Sequence, residues 1–540
     1  MDAFDFIIVG AGSAGCVLAN RLSEDKDASV LLLEAGGWDR DPLIRIPLGI
    51  GKIFPERRHD WNYFFATEAA TGGRAIECAR GKVVGGSSAI NLMTYARGHR
   101  DDYDNWQRSG ADGWGYEEVL PYFRRSESWE GGADSYRGAS GPLTVQRTRY
   151  GDPILPAIIT AGTQAGFAET PDYNGERQEG FGLTQQTIRR GERCSAAAAY
   201  LRPAERRNNL TVRVGALVTR LAGAGRRFDT VHYLEGGSPR AVTARREIIL
   251  SAGVINTPKI LMLSGIGPAD HLASHGVRAQ VDLPGVGANL KDHFSFLVAS
   301  QRTSPSTFLR NMRYDRLALS MLSAALLGKG FASDVPSGVM AFLKSPLAGA
   351  APDIQLLFLA ATFPAHPYFA PMVRPFPDRL GCRVALLHPD SAGAVRLASG
   401  DPLVAPAIEG NFLATVKDRA TLRAGLAIAR DVLKAPALRA FLGDEVSPGP
   451  APGSRDAVDA FIRATGTTVH HPAGTCRMGA MTDRMSVVGP DLAVIGTEGL
   501  SVADASVMPD LIGGNINAAV MMIGEKAADL VLQRSVVQAL

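Results

Sequence analysis

Cysteine is scarce in this sequence, and the five cysteines lie far apart. They are Cys16, Cys78, Cys194, Cys382 and Cys476, with no Cys-x-x-Cys spacing among them. A chain of 540 residues with so few cysteines is not a disulfide scaffold. We therefore expect an ordinary hydrophobic core and a reducing, cytoplasmic setting.

The sequence also lacks a large excess of charge of one sign, and it lacks long hydrophobic runs. Lys and Arg number 57 against 54 Asp and Glu, so nothing in the net charge suggests nucleic acid as a partner. The first apolar strand begins within about five residues and no signal-peptide pattern precedes it, so we expect no export. The apolar stretch 317–327 is well short of the ~20 residues that span a bilayer. We expect a buried or pocket-lining helix there, with an interfacial helix in peripheral membrane contact as the alternative.

The opening of the chain has the pattern of a dinucleotide-binding βαβ unit. Residues 6–9 predict a buried strand that leads into a Gly-x-Gly-x-x-Gly turn. The second glycine lets backbone N–H groups approach a pyrophosphate, and the third lets the next helix pack on the sheet. The following apolar strand ends in Glu34, about 20 residues on, where a carboxylate accepts from a ribose. A generic glycine turn is the alternative, and FAD and NAD both stay open. The predicted cofactor contacts here are Gly10, Gly12, Ser13, Ala14, Gly15, Glu34 and Ala35.

Later segments predict that the nucleotide domain is discontinuous. Strands at 210–214, 216–221, 247–250 and 500–506 are expected on its sheet, and a long helix starts near Asn517. Residues 294–460 have more proline and short apolar strands, which is typical of an antiparallel sheet with helices. We predict an α/β fold with a Rossmann-like cofactor-binding domain at 1–155, 205–293 and 461–540. A substrate-binding cap is expected at 156–204 and 294–460.

Three longer motifs carry a family resemblance. They occupy residues 80–91, 251–268 and 471–479, the last reading His-Pro-Ala-Gly-Thr-Cys-Arg-Met-Gly. In this order they resemble the signatures of the glucose–methanol–choline (GMC) oxidoreductases, and the chain is most similar to the bacterial choline-dehydrogenase-like branch. The resemblance runs from Phe4 to about Leu532. It implies FAD as the cofactor and oxidation of an alcohol by hydride transfer to flavin N5.

The loop at 84–91 is a predicted part of the cofactor site. By itself it is a glycine- and hydroxyl-rich turn that directs N–H groups at a phosphate or flavin edge, or a plain β-turn. Some family members attach FAD through a histidine in this loop, where this chain has Ile90, so we expect non-covalent FAD. Further FAD contacts implied by the resemblance are Val84, Gly86, Ser87, Asn91, Val218, Asp504 and Ala505.

His471 is the candidate catalytic base. A neutral imidazole with a pKa near ~6.5 accepts a hydroxyl proton while the neighbouring carbon loses hydride. From the residues alone, a core histidine bonded to backbone or the neighbouring His470 are alternatives. A metal site with Cys476 is a further one, but nothing nearby completes a zinc ligand set, and no metal is expected. The resemblance selects His471, because the family's active histidine stands immediately before a proline.

Two asparagines follow a glycine pair at the start of the last helix. Asn515 and Asn517 each suit an N-cap position. The resemblance implies a second polar residue, His or Asn, facing the substrate oxygen, and we assign that role to Asn517 and a cofactor contact to Asn515. A neutral amide donates to a developing alkoxide as an oxyanion-hole donor does. The positive end of the helix favours an anionic reduced flavin.

Choline itself is not the expected substrate. Its trimethylammonium group needs an anionic or aromatic cage, and the glutamate that choline dehydrogenases carry aligns with residues 335–342, where there is no acid. Asp334 lies just outside that segment. We expect a neutral aliphatic or aromatic primary alcohol beside Phe358, Leu359, Phe363 and Tyr368.

Other functions stay open at this point. A cyanohydrin lyase or a photodecarboxylase with the same fold is the main alternative, and an NAD-dependent dehydrogenase is the weaker one. The sequence determines neither the electron acceptor, O2 or a quinone, nor the oligomeric state.

Overall fold

A computed structural model gives the structure of residues 2–360, 365–449 and 453–539, with side chains described up to residue 534. A seven-stranded sheet is built around the first apolar strand. Phe6 to Val9 and Val30 to Glu34 are entirely buried, as expected for parallel strands covered on both faces. The order is Leu210–Val214, Val30–Glu34, Asp2–Val9, Ser238–Leu250, Arg227–Glu235 and Ala216–Ala224, with Leu500–Val502 paired to Ser238–Leu250. We call this the first sheet, and its strands include those expected around residues 210–221, 247 and 500.

The glycine turn after the first strand brings both ends of the chain together. The helix Ser13–Leu22 begins there, and a Cβ on Gly15 would lie 1.9 Å from the carbonyl oxygen of Gly10. Only glycine therefore allows this helix to sit so close to the sheet. The final helix, Asn517–Ala539, packs against it. The N-terminus of the final helix thus lies beside the glycine turn.

A second sheet of seven strands is antiparallel throughout. Its order is Leu442–Ser447, Phe294–Arg302, Arg379–Leu386, Ile354–Leu359, Ser337–Leu343 and Gly180–Leu183, with Thr467–Thr468 paired to Phe294–Arg302. Thr467–Thr468, just before His470, belongs to this sheet and pairs with Ser295 and Phe294. This short strand lies within the range 461–540 expected for the cofactor-binding domain, but it pairs with a strand of the expected cap.

Helices cover both sheets. Those of ten or more residues among the described ranges are Ser13–Leu22, Tyr116–Ser126, Ile154–Gln164, Gly253–Leu263, Tyr314–Leu327, Val416–Leu433, Arg455–Thr465 and Asn517–Ala539. In the described ranges, none of the helices has the length and apolar character needed to cross a bilayer. The apolar stretch near residue 320 forms the helix Tyr314–Leu327. Leu317 and Met321 line the large cavity described below, whereas Leu319, Leu322 and Leu326 on its outer face are exposed.

Candidate active site

A cavity of about 1080 Å³ is lined by residues of both sheets. Most of the residues predicted from the sequence line it. These are Gly10, Gly12, Ser13, Ala14, Glu34, Ala35, Gly86, Ser87, Asn91, Val218, His471, Asp504, Ala505, Asn515 and Asn517. Gly15 and Val84 do not, because Gly15 packs on the turn and Val84 is buried in the core. Of the expected substrate-pocket residues, Leu359 lines the cavity, Phe358 is buried in the core, Tyr368 is not in the lining, and Phe363 lies outside the described residues.

The nucleotide side of the cavity fits a dinucleotide. Glu34 accepts hydrogen bonds from the backbone N–H groups of Ala11 at 2.9 Å and Gly36 at 2.7 Å. Burial raises the pKa of the Glu34 carboxyl to about 7, because it disfavours the charged form. Hydroxyl donors such as those of a ribose stabilise the charged form. Gly86 lies so close to the glycine turn that a Cβ there would be 2.7 Å from the Cα of Gly12. The two loops therefore approach each other through glycines and face the same space.

Asp504 holds two segments of this wall together. Its carboxylate accepts from the N–H of Gly253 at 2.8 Å, from Thr257 Oγ1 at 2.6 Å and from the N–H of Ser506 at 2.8 Å. These bonds join the start of the helix Gly253–Leu263 to the loop after Leu500–Val502. Asp504 thereby fixes the position of Ala505, which also lines the cavity.

The loop at 84–91 is held from behind by a residue that the sequence did not single out. Arg193 Nη1 donates to both the backbone carbonyl and the side-chain Oδ1 of Asn91, each at 2.7 Å. Its Nε donates to the carbonyl of Ile44 at 2.9 Å. Asn91 therefore presents its amide from a fixed position at the cavity wall. No local pattern around Arg193 indicates this contact, which joins segments about 100 residues apart.

His471 lies at the centre of a chain of hydrogen bonds deep in the cavity. Its Nδ1 is 3.0 Å from Nδ1 of His293, whose Nε2 is 3.0 Å from the carbonyl oxygen of Ile512. On the other side, Nε2 of His471 is 3.2 Å from Nδ2 of Asn515. Gln355 Nε2 donates to the Oδ1 atom of the same asparagine at 3.3 Å, which directs the amide Nδ2 toward the imidazole.

These contacts determine where each proton sits. The carbonyl of Ile512 only accepts, so His293 carries its proton on Nε2 and offers a lone pair at Nδ1. His471 must then donate from Nδ1, which leaves the Nε2 lone pair to accept from Asn515. Burial lowers the pKa of His293 to about 3 and, with the neighbouring His293, lowers that of His471 well below its usual range. Both imidazoles are therefore neutral at neutral pH, and Nε2 of His471 is the unprotonated nitrogen that faces Asn515.

Asp292 fixes the backbone of the base. Its Oδ1 accepts from the N–H of His471 at 2.9 Å, and Oδ2 accepts from the hydroxyl of Thr468. Burial raises the pKa of this carboxyl to about 6. Asp292 and His293 follow one another in sequence, so one segment of the chain orients both the backbone and the ring of His471. Sequence reasoning missed both residues, since neither lies in a motif that it recognised.

His470 also lines the cavity but makes different contacts. Its ring meets Phe54 edge-on at a centroid distance of 5.2 Å, and its Nδ1 has no hydrogen-bond partner within the described part of the chain. Arg80 donates to its backbone carbonyl at 2.5 Å. The two adjacent histidines thus diverge, and His471 alone contacts Asn515.

Asn517 occupies a different position from the one expected. Its Oδ1 accepts a hydrogen bond from Ser13 Oγ at 2.8 Å, so it connects the start of the final helix to the glycine turn. Asn515, two residues earlier, contacts the imidazole instead. The structure therefore brings together His471 and Asn515 rather than His471 and Asn517.

Two known family models match most of this chain. The family models for the N- and C-terminal parts of the GMC oxidoreductases match residues 4–295 and 389–524. The chain belongs to the GMC oxidoreductases. As in that family, FAD is the cofactor, and the reaction class is oxidation of CH–OH donors.

The relatives of this GMC oxidoreductase include choline dehydrogenases, and the solved structures that superpose on it include oxidases. It is 42% identical over 528 residues to an oxygen-dependent choline dehydrogenase of Rhizobium etli, covering 98% of this chain and 95% of that protein. A Brucella ovis protein of the same description is 41% identical over 531 residues, with 98% and 96% covered. Among solved structures, pyridoxine 4-oxidase from Mesorbium loti superposes with a TM-score of 0.86 at 32% identity, over 97% of this chain and 98% of that one. A fungal aryl-alcohol oxidase gives 0.85 at 26% identity, over 99% and 100%.

Proposed function

We propose that this protein oxidises a primary alcohol to the aldehyde, with His471 as the base. The observation that carries the proposal is the neutral, tautomer-fixed imidazole whose Nε2 faces the cavity beside an amide donor. The substrate hydroxyl lies against Nε2 and gives its proton to it. FAD, when bound between the two glycine loops, supplies the hydride acceptor. The neutral amide of Asn515 donates to the oxygen as negative charge develops there.

Asn515 takes the role that the sequence assigned to Asn517. An oxyanion donor must lie near the same oxygen as the base, and Asn515 is the asparagine within hydrogen-bond distance of His471. Gln355 positions its amide. We assign Asn517 to the cofactor side, where it joins the helix N-terminus to Ser13. The helix dipole then points positive potential at that part of the cavity.

The names of the relatives make choline a second candidate substrate. The cavity lining includes the aromatic residues Phe54, Trp61 and Tyr63 but not Asp334, the acid nearest to the segment where choline dehydrogenases carry a glutamate. Asp334 instead accepts hydrogen bonds from the loop at 148–149, and burial raises its pKa to about 6. A photodecarboxylase has no hydroxyl proton to remove, so it would not need this neutral base. A cyanohydrin lyase would need a base at the same hydroxyl, and it differs from alcohol oxidation in leaving the flavin oxidised.

Anaerobic mixing of the yellow holoenzyme with alcohols tests the proposal. We expect an alcohol substrate to bleach the flavin absorbance without light or any other reagent. Recovery of the colour on admitting air identifies O2 as the acceptor, and recovery only with a soluble quinone identifies a dehydrogenase. A holoenzyme that no primary alcohol bleaches would contradict the function and favour the lyase or photodecarboxylase.

The pH dependence of flavin reduction follows from the burial of His471. An ordinary histidine with a pKa near ~6.5 would lose about fourfold in neutral form between pH 8 and pH 6. Since burial lowers the pKa of His471 well below that value, it stays neutral across this window. We expect the rate constant of anaerobic flavin reduction at saturating alcohol to change by less than about twofold. A fourfold fall toward pH 6 would show that the base titrates normally.

Acid precipitation tests how FAD is attached. Ile90 lines the cavity in the loop at 84–91, and its aliphatic side chain has no atom that forms a bond to the isoalloxazine. We expect trichloroacetic acid to release all of the FAD into the supernatant and leave a colourless pellet. A yellow pellet would show a covalent link from another side chain.

A further inference from the structure

The second sheet presents one face to the cavity, and that face carries a positive charge. Gln355, Leu357 and Leu359 line the cavity from one strand, and Arg383 and Ala385 line it from the next. Side chains two residues apart share a face of a strand, and Leu357 pairs with Arg383 across the sheet. The guanidinium therefore belongs to the same wall as the amide of Gln355.

Arg383 has no carboxylate partner in the part of the chain that the structure describes. Its Nη1 donates to Ser295 Oγ at 3.0 Å, and within the described residues no carboxylate oxygen lies within 4.0 Å of its nitrogens. The fully buried Arg97 and Arg137 differ, because both pair with Glu127, and the buried Arg193 donates to four carbonyl oxygens. Arg383 is half-buried, and a cation partly removed from water with one neutral partner is stabilised when an anion joins it.

The acidic residues that line the cavity do not supply this anion. Glu34 and Asp504 lie on the nucleotide side and are held by backbone donors. Glu77 forms an ion pair with Arg57 at 3.1 Å. Burial lowers the pKa of Arg383 from its ordinary value, which is the expected effect of a low-dielectric site without a counter-charge.

Arg383 is also close to the reacting groups. Gln355 pairs across the sheet with Ala385, so the backbones of Gln355 and Arg383 are diagonal neighbours about 7–8 Å apart. Gln355 in turn donates to Asn515, the partner of His471. A small molecule whose hydroxyl lies at His471 thus has its other end within reach of the guanidinium.

We propose that the substrate is a hydroxy acid whose carboxylate is bound by Arg383 while its primary hydroxyl lies against His471 and Asn515. This inference rests on the proposed alcohol oxidation and replaces the neutral alcohol expected from the sequence. A guanidinium fork binds a carboxylate through two parallel hydrogen bonds. One cation balances a singly charged carboxylate, and would leave a phosphate dianion with excess charge. The same guanidinium repels a quaternary ammonium such as choline.

Matched substrates with and without the carboxylate test the inference on the holoenzyme. The measured quantity is the rate constant of anaerobic flavin reduction divided by the dissociation constant of the alcohol. We expect this quotient to be about 10–100-fold higher for para-(hydroxymethyl)benzoate than for its methyl ester, because only the acid forms a charge-assisted hydrogen bond. Arg383→Gln should bring that ratio to near one, and Arg383→Lys should keep part of it. Arg439→Gln is the matched control, since Arg439 is exposed on the same cap and should keep the full ratio.

A binding measurement separates this inference from the proposed function. The non-oxidisable para-toluate should shift the flavin absorbance spectrum of the wild type and the Arg439→Gln variant, and not that of Arg383→Gln. Equal reactivity of the acid and its ester in the wild type overturns the inference and leaves alcohol oxidation intact. Binding of para-toluate without bleaching by any alcohol overturns the proposed function and supports the carboxylate site. If Arg383→Gln does not fold, the wild-type ratio and Arg383→Lys still decide the outcome.

Discussion

Replacing His471 with alanine is expected to slow anaerobic flavin reduction by alcohol about 10²–10⁴-fold, the contribution of a positioned general base. The Nε2 atom is the lone pair that the hydrogen-bond chain leaves unprotonated beside Asn515. FAD should stay bound, because the nucleotide side of the cavity is formed by the glycine turn, Glu34 and the loop at 84–91. Stopped-flow reduction of the purified variant, with its flavin content measured, checks both statements.

His470→Ala is the matched control, since the two histidines are adjacent and both line the cavity. Its ring packs against Phe54 and makes no hydrogen bond in the described chain, so reduction should stay within about tenfold of the wild type. A variant lacking His471 that reduces its flavin at the wild-type rate would remove the base from the mechanism. A large loss in the His470 variant alone would transfer the role to that residue.

Much of the fold follows from local sequence. The buried strand Asp2–Val9, the glycine turn and Glu34 are continuous in the chain, and their apolar run and spacing determine their structure directly. The strand Ile354–Leu359 of the cap is equally visible as an apolar run. The strand Thr467–Thr468 has no such local signal, because it is only two residues long and is held by pairing to a distant strand.

The site was harder to predict because its contacts cross long stretches of chain. His293 is 178 residues from His471, and its role depends on the carbonyl of Ile512 on its far side. Arg383 appears in the sequence as one charge in a cap strand, and only the sheet register turns it toward the cavity. The motifs predict His471 as the base, but they carry no information on its tautomer or on the charge of the opposite wall.

The same limit explains the two asparagines. Asn515 and Asn517 are separated by one residue at the entry to the final helix, where the backbone changes direction. The family resemblance implies that one of them faces the substrate, but the direction of each side chain depends on Gln355 and Ser13, which come from other parts of the chain.

Asn515→Ala is therefore expected to lower the rate constant of flavin reduction about 10²–10³-fold with FAD retained, the loss typical of one oxyanion donor. Asn515→Asp should show a similar loss, because a carboxylate of the same shape accepts and cannot donate to the developing alkoxide. Neither substitution removes a contact to the glycine turn, so the fraction of enzyme carrying FAD should match the wild type. Stopped-flow reduction and the flavin-to-protein absorbance ratio measure the two effects separately.

Asn517→Ala is the counterpart, and its effect should fall on the cofactor. It removes the hydrogen bond from Ser13 at the helix N-terminus, worth about 1 kcal/mol by analogy with capping contacts. We expect weaker FAD retention and a lower unfolding temperature, with reduction of the FAD-loaded fraction within about tenfold of the wild type. If this variant instead loses more in the reduction step than Asn515→Ala, then Asn517 is the donor to the substrate. The hydrogen bond between Asn515 and His471 would in that case serve only to hold the imidazole in place.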